Sequence, residues 1–200
     1  MPGFEEIRCF DASLAEKLSR YTDHLRKHNL DISKVYSSLV SRLRDANAGS
    51  CAIQTGSIFP KFLLPDSSGN LVSSADLLSE GPLVVSFNRG HWCSYCKLEL
   101  LALADVYPAI KSLGGELLSL MPENAEYTGN FNEAFELPFR ILTDIDNGYA
   151  LSCGLMISLG SAVQHEYLNL GRDLSDFHRN KAWFVPIPAT YISEFAKMCS

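Results

Sequence analysis

The sequence has no apolar run long enough to cross a membrane, and its opening residues, Met1-Pro2-Gly3-Phe4-Glu5-Glu6, show no basic stretch leading into an apolar core. No secretory signal or membrane span is therefore expected. Basic surplus is also missing: 17 Lys and Arg face 23 Asp and Glu, for a formal net charge of -6. No Lys/Arg cluster interleaved with aromatics appears, which argues against nucleic acid as a partner and against docking on an anionic membrane. Cysteine is sparse, with six in 200 residues. That is too few for a dense disulfide framework and suits a reducing, cytoplasmic setting. No second paired-cysteine motif is present to complete a zinc site, and no repeat or low-complexity tract interrupts the chain. What remains is a chain with 46% hydrophobic residues, enough for one domain with a good-sized core plus an appendage.

The appendage reads as two amphipathic helices. Phe10, Leu14, Leu18, Tyr21 and Leu25 step by three or four, with Ser13 to Glu16 as a capping box, and Ile32, Val35, Leu39 and Leu43 repeat the pattern. They are either a dimerisation arm, giving a homodimer, or a hairpin folded onto their own domain, which is the favoured reading. The polar, glycine-bearing stretch from Ala46 to Gly56 marks the boundary, so residues 1–55 form a helical extension and 56–200 the main domain. Strands and helices then alternate. A hairpin turns at Pro65 to Asn70, a brief helix runs through Asp76 to Leu78, and Leu83 to Phe87 has the apolar, β-rich composition of a buried parallel strand. A helix after Cys96, carrying Pro108 as an expected kink, stops at Gly114-Gly115, and another apolar strand follows at Leu117 to Leu120. Further on, Glu123 to Phe135 reads as helix, Phe139 to Leu142 as strand, Asp146 to Leu151 as helix, and Pro186 to Ile192 as a turn entering a strand. The stretch from Gly160 to Asn180 allows one helix. The pattern predicts an α/β fold with a central sheet flanked by helices.

Chemistry concentrates in Arg89-Gly90-His91-Trp92-Cys93-Ser94-Tyr95-Cys96, which joins the strand ending at Phe87 to the following helix. Both sulfurs of this C-x-x-C pair fall at a helix N-terminus, where unpaired N–H groups and the helix dipole favour the thiolate. A thiolate attacks disulfides and peroxides. Half a zinc site and inert core packing are the alternatives, and redox chemistry is the preferred reading. Cys9, Cys51, Cys153 and Cys199 are solitary.

Several segments together resemble the thioredoxin-fold superfamily and, within it, the peroxiredoxin-like AhpC/TSA proteins. They are Ile58 to Asp66, Gly81 to Phe87, and Leu137-Pro138-Phe139-Arg140-Ile141-Leu142-Thr143-Asp144, within a match extending over roughly Gly56 to Ile192. The resemblance implies a thioredoxin-like fold with a mixed central sheet, preceded here by the helical extension. It places Cys96 at the peroxidatic position, Glu99 at the family's glutamate, and Cys93 where the family carries Thr or Ser. Arg89 stands where the family has proline and Pro188 where it has arginine. Pro188 instead resembles the cis-proline of thioredoxin-like reductases, and Trp92 to Cys96 resembles their active-site motif, so the site is similar to the branch carrying R-G-x-W-C-x-Y-C. The chain runs to Ser200 without the family's usual closing strand and helix, so a shortened C-terminus with an unpaired sheet edge is expected.

What the resemblance implies is a thiol-dependent oxidoreductase without metal or other cofactor. Cys96 would attack a peroxide, Cys93 would close a disulfide with the sulfenic acid in preference to Cys153 or Cys199, and an external thioredoxin- or glutathione-like dithiol would reduce it. Arg89 would supply the positive field missing at Pro188. Trp92 would be a packing wall and substrate platform, His91 a proton shuttle or an exposed side chain, and Glu99 an orienting group for Cys96 or merely a helix N-terminal carboxylate. Ile187 and a cis Pro188 would offer a docking edge to an extended substrate. The rival readings are thiol–disulfide exchange with proteins, Cys93 attacking first, and a non-catalytic redox-responsive binding module.

Overall fold

The computed structural model describes residues 2–194. Its centre is a four-stranded mixed sheet. Strands β3 (Leu83–Phe87), β4 (Glu116–Met121) and β5 (Arg140–Thr143) run parallel in the order β5-β4-β3, and β8 (Ala189–Ser193) pairs antiparallel with the outer side of β3. Every residue of β3 is buried, Ser86 included, as the mainly apolar composition of a strand covered on both faces leads one to expect. Helix α5 (Ser94–Ser112) is the crossover between β3 and β4 and continues through Pro108, so the proline does not end it. The chain then passes through α6 (Ala125–Phe135) to β5, giving the α/β alternation read from the sequence.

Before the sheet, β1 (Leu63–Pro65) and β2 (Leu71–Ser73) form the expected hairpin, whose turn is held by Asp66 Oδ1 accepting from the Ser68 and Asn70 N–H groups, each at 2.9 Å. Short α4 (Ser74–Glu80) follows, and α7 (Gly148–Ser152) comes after β5. A two-stranded ladder of β6 (Met156–Ser158) and β7 (Phe184–Pro186) escaped the sequence reading, and the single helix expected beyond Gly160 is two, α8 (Ser161–Asn169) and α9 (Leu174–His178). Strand β8 is the outer strand of the sheet, with Ile192 73% exposed. Cys199 lies outside the described residues.

The N-terminal extension contains three helices rather than two: α1 (Pro2–Arg8), α2 (Leu14–His28) and α3 (Leu30–Asp45). Ser13 caps α2 as its sequence suggested, accepting from the Glu16 N–H at 3.3 Å. Phe10 falls before that helix and lies under the Arg20 guanidinium, 3.9 Å from the ring centre. Helix α2 packs on α5 and α3 packs on α8. Tyr21, Leu25, Ile32 and Leu39 enter one buried cluster with Trp92, Cys93, Cys96 and Tyr167. The apolar stripes of the extension thus close over the start of α5, while a second cluster around Leu83, Val85, Phe87 and Tyr149 fills another part of the molecule.

Candidate active site

Strand β3 delivers the chain to the site through a pinned corner. Asn88 is fully buried, and its Nδ2 donates to the Ser86 carbonyl at 3.3 Å, to Ser86 Oγ at 2.9 Å and to Ser119 Oγ at 3.1 Å. Five residues later Cys93 occupies the N-cap of α5 in an extended conformation, and its Sγ accepts from the Cys96 N–H at 3.3 Å. A sulfur here takes the place that a Ser, Thr, Asp or Asn oxygen usually fills. Cys96 sits in the first turn, with its sulfur 2.7 Å from that of Cys93, and both thiols are free.

Arg89 organises the pair. Its Nη2 donates to Cys93 Sγ at 3.0 Å and its backbone N–H reaches Cys96 Sγ at 3.5 Å. Among the described residues it has no carboxylate partner within ion-pair distance. Burial pushes the Cys93 thiol up, but hydrogen bonding from Cys96 and the Arg89 charge outweigh it and hold the group down to about 6. Cys96 goes the other way: burial and then the neighbouring Cys93 sulfur raise it well above the ordinary thiol range. The electrostatics therefore favour Cys93 as the thiolate, whereas the family register had put the attacking sulfur at Cys96. That register matches positions along the chain, and the thiol with the guanidinium on it is a matter of three-dimensional placement.

The remaining candidates separate into those brought to the dithiol and those carried away. Trp92 is buried, with its ring 5.4 Å from that of Tyr167 and nearly perpendicular to it, and the Arg89 guanidinium lies 5.9 Å from the indole. His91 is partly exposed; its ring lies parallel to Tyr127 at 5.2 Å, and its Nδ1 pairs with Glu123. Glu99 faces β8, where its Oε1 accepts from the Thr190 hydroxyl at 3.0 Å, and burial raises its carboxyl. The docking edge expected at Ile187 and Pro188 is not formed. The peptide bond between them is trans, Pro188 is exposed, and Ile187 packs in the second cluster with Phe59 and Ile53. The Ile187 N–H is already used, donating to the Leu155 carbonyl at 2.8 Å.

Two tyrosines that no sequence spacing singled out complete the surroundings. Tyr36 of α3 and Tyr167 of α8 share a hydrogen bond through their hydroxyls, 131 positions apart in the chain. Burial pushes Tyr36 up to about 12, with the Arg89 charge pulling in the opposite direction. On the other side Tyr95 packs edge-on to Tyr21 at 5.0 Å and shares a 3.0 Å hydrogen bond with Thr22 of α2. Cys93 and Cys96 are left 3% and 1% exposed; their chain neighbours Trp92, Ser94 and Tyr95, with Tyr21, Leu25 and Tyr36, border a cavity of about 20 Å³ that neither cysteine lines. Such a space takes about one water-sized molecule. The other described cysteines are not drawn in: Cys9 and Cys51 are exposed, and Cys153 is buried in the second cluster, where burial raises its thiol.

The sequence model of the AhpC/TSA family matches residues 55–194. The chain belongs to the AhpC/TSA family. Among curated relatives of this AhpC/TSA protein, thiol-disulfide oxidoreductase ResA of Bacillus subtilis (strain 168) is 31% identical over 100 residues, covering 50% of this chain and 55% of ResA. Chloroplastic peroxiredoxin Q of Oryza sativa subsp. japonica is 30% identical over 95 residues, covering 48% of this chain and 43% of its own. The match thus spans about half the length of these relatives. Among solved structures, peroxidoxin BcpB from Mycobacterium tuberculosis superimposes with a TM-score of 0.56 at 18% identity, over 70% of this chain and 78% of that one. Xanthomonas campestris peroxiredoxin Q gives 0.52 at 14% identity, over 66% and 73%. The fold is thioredoxin-like. Among the described residues no helix is long and apolar enough to span a membrane.

Proposed function

We propose that the protein reduces small peroxides with a Cys93/Cys96 dithiol, Cys93 attacking and Cys96 resolving. The observation that carries this reading is the Arg89 guanidinium 3.0 Å from Cys93 Sγ at the N-cap of α5. The Cys93 thiolate attacks one peroxide oxygen, a sulfur–oxygen bond forms, the O–O bond breaks, and its electron pair leaves on the other oxygen, which is protonated to alcohol or water. Arg89 faces the charge that develops there. The Cys96 thiol then condenses with the Cys93 sulfenic acid, forming the disulfide and releasing water. One thioredoxin-type dithiol, or two glutathione-type thiols, returns both thiols in a cytoplasmic setting and leaves as the disulfide.

Enclosure supports a small oxidant over a protein disulfide, because both cysteines are almost wholly buried in one cluster with side chains of α2 and α3. Thiol–disulfide exchange is the second reading. It uses the same Cys93 nucleophile and is favoured by the likeness to ResA.

Peroxide consumption with dithiothreitol as donor tests the proposal. Cys93→Ser is expected to abolish turnover, and Cys96→Ser to form one sulfenic acid on Cys93 and then stall. Sulfenic acid trapped on Cys96 in the Cys93→Ser protein would reverse the roles. Reduction of insulin disulfides without peroxide consumption selects the exchange reading.

A further inference from the structure

One buried acid near the site is used by nothing above. Glu123, in the loop between β4 and α6, is 0% exposed, and both of its carboxylate oxygens are spent on one residue of the catalytic turn. Oε2 accepts from the His91 backbone N–H at 2.8 Å, and Oε1 pairs with His91 Nδ1 at 2.7 Å. The chain passes so close that a Cβ on Gly90, whose φ is +134°, would stand 2.6 Å from Glu123 Oε1 and 2.7 Å from Trp92 Nε1. The His91 ring is held in turn by Tyr127 on one side and by Phe177 of α9, 4.8 Å away, on the other. Asn124 ties that cage together, its N–H donating to the Phe177 carbonyl at 3.0 Å and its Nδ2 to the same carbonyl at 3.2 Å.

We infer that Glu123 is a positioning residue for the catalytic turn: by clamping His91 at two points it holds residues 89–92 so that the Arg89 guanidinium lies on Cys93. The chain of contacts is short. The Gly90 carbonyl accepts from the Cys93 N–H at 3.1 Å, closing the turn between the clamped residue and the N-cap, and Arg89 is the next residue upstream. An unclamped turn has no other side chain gripping the His91 N–H, and Gly90 is free of the Cβ that would restrict it. A buried carboxylate facing a backbone N–H and an imidazole is also costly to leave unpaired, which is why both contacts are made together.

This inference rests on the reading of Cys93 as the low-pKa nucleophile, and the test separates the two. Alkylation of Cys93 and Cys96 by iodoacetamide is followed against pH by peptide mass spectrometry on reduced full-length protein. The unaltered protein is expected to show a Cys93 midpoint of about 6, and a Cys96 that alkylates more readily than Cys93 near neutrality would sink the nucleophile reading itself. Two explanations of Glu123 then predict opposite signs. As a bare neighbouring negative charge, its removal would lower the Cys93 midpoint, because a nearby anion disfavours the thiolate. As a clamp, Glu123→Ala moves the midpoint up towards the ordinary thiol range near ~8.5 and slows Cys93 alkylation at pH 6.5 by about tenfold or more. Glu123→Gln, which can still accept from the His91 N–H and donate to Nδ1, is expected to keep the midpoint near that of the unaltered protein. Other titratable groups facing Cys93 are Cys96, Tyr21, Tyr36, Tyr167 and Lys97, and His178 faces His91; none is altered in these variants. A Cys93 midpoint unchanged or lowered in Glu123→Ala, or raised equally in Glu123→Gln, overturns the inference. Should Glu123→Ala fail to fold, Glu123→Asp, too short to reach both His91 groups, is read by the same criterion.

Discussion

At the scale of single residues, the dithiol is asymmetric because the groups around its two sulfurs are. Cys93 and Cys96 are both buried at the start of α5, and burial by itself raises both thiols. What divides them is first the hydrogen bond that the Cys96 thiol donates to the Cys93 sulfur, then the Arg89 charge and the Cys96 N–H on that same sulfur, while Cys96 receives only a long contact from the Arg89 backbone. Arg89→Met keeps much of the side-chain volume and removes the charge. The expected result is a Cys93 alkylation midpoint moved up from about 6 and a rate at pH 6.5 reduced about tenfold or more, measured by pH-dependent labelling. An unchanged midpoint would leave the hydrogen bonds from Cys96 and the helix N-terminus as the cause. Arg89, Trp92, Cys93 and Cys96 were legible in the sequence because they fall within eight consecutive residues. Tyr36, Glu123 and Tyr167 were not, since they reach the site from three separate elements and no local spacing links them to it. The cis-proline expectation failed for a related reason: a proline at the right position along the chain says nothing about which core cluster its neighbour Ile187 joins.

At the scale of elements, β3, β4 and β5 could be read because each is a short, mainly apolar run bounded by turn signals, and α5 because its apolar residues recur at helical spacing up to a glycine stop. The ladder of β6 and β7 has three residues per strand and is paired across the two helices α8 and α9, so neither strand shows a period of its own. The stripes on α2 and α3 were visible, but not their destination, which is the cluster holding Trp92, Cys93 and Cys96. If α2 shields the dithiol, Leu25→Ala should open it. Leu25 is 5% exposed, borders the small cavity beside Trp92, and shares a cluster with Cys93. Truncation of a buried leucine destabilises by about 2–5 kcal/mol, to be read from urea unfolding. The element-scale outcome is that Cys93 labelling by a bulky maleimide increases relative to labelling by iodoacetamide in conditions where the variant remains folded. Lost stability with an unchanged ratio would show that α2 is packing without being the barrier.

At the scale of the whole molecule, the shifted groups make stability depend on pH in a way that the acidic net charge of -6 does not produce alone. An unfolded thiol ionises near ~8.5, whereas folded Cys93 ionises at about 6. Between these values the unfolded chain binds the extra proton, so folding becomes more favourable as pH rises, and the contribution is gone below about 6, where both states are protonated. Cys96 has the opposite shift: above ~8.5 the unfolded thiol ionises and the folded one does not, so its contribution is lost as pH rises further. Tyr36, raised by burial to about 12, adds to the decline above ~10, and His178, lowered by burial and by His91 to about 4, adds to the loss below ~6.5. Urea unfolding of the reduced protein should therefore show a midpoint that climbs from pH 6.5 to 8.5 and falls beyond. In Cys93→Ser the climb should disappear while the alkaline fall, which belongs to Cys96, Cys153 and buried tyrosines such as Tyr36 and Tyr167, remains. A climb that survives in Cys93→Ser would place its origin in the general charge balance and would remove the Arg89–Cys93 ion pair as a source of native stability.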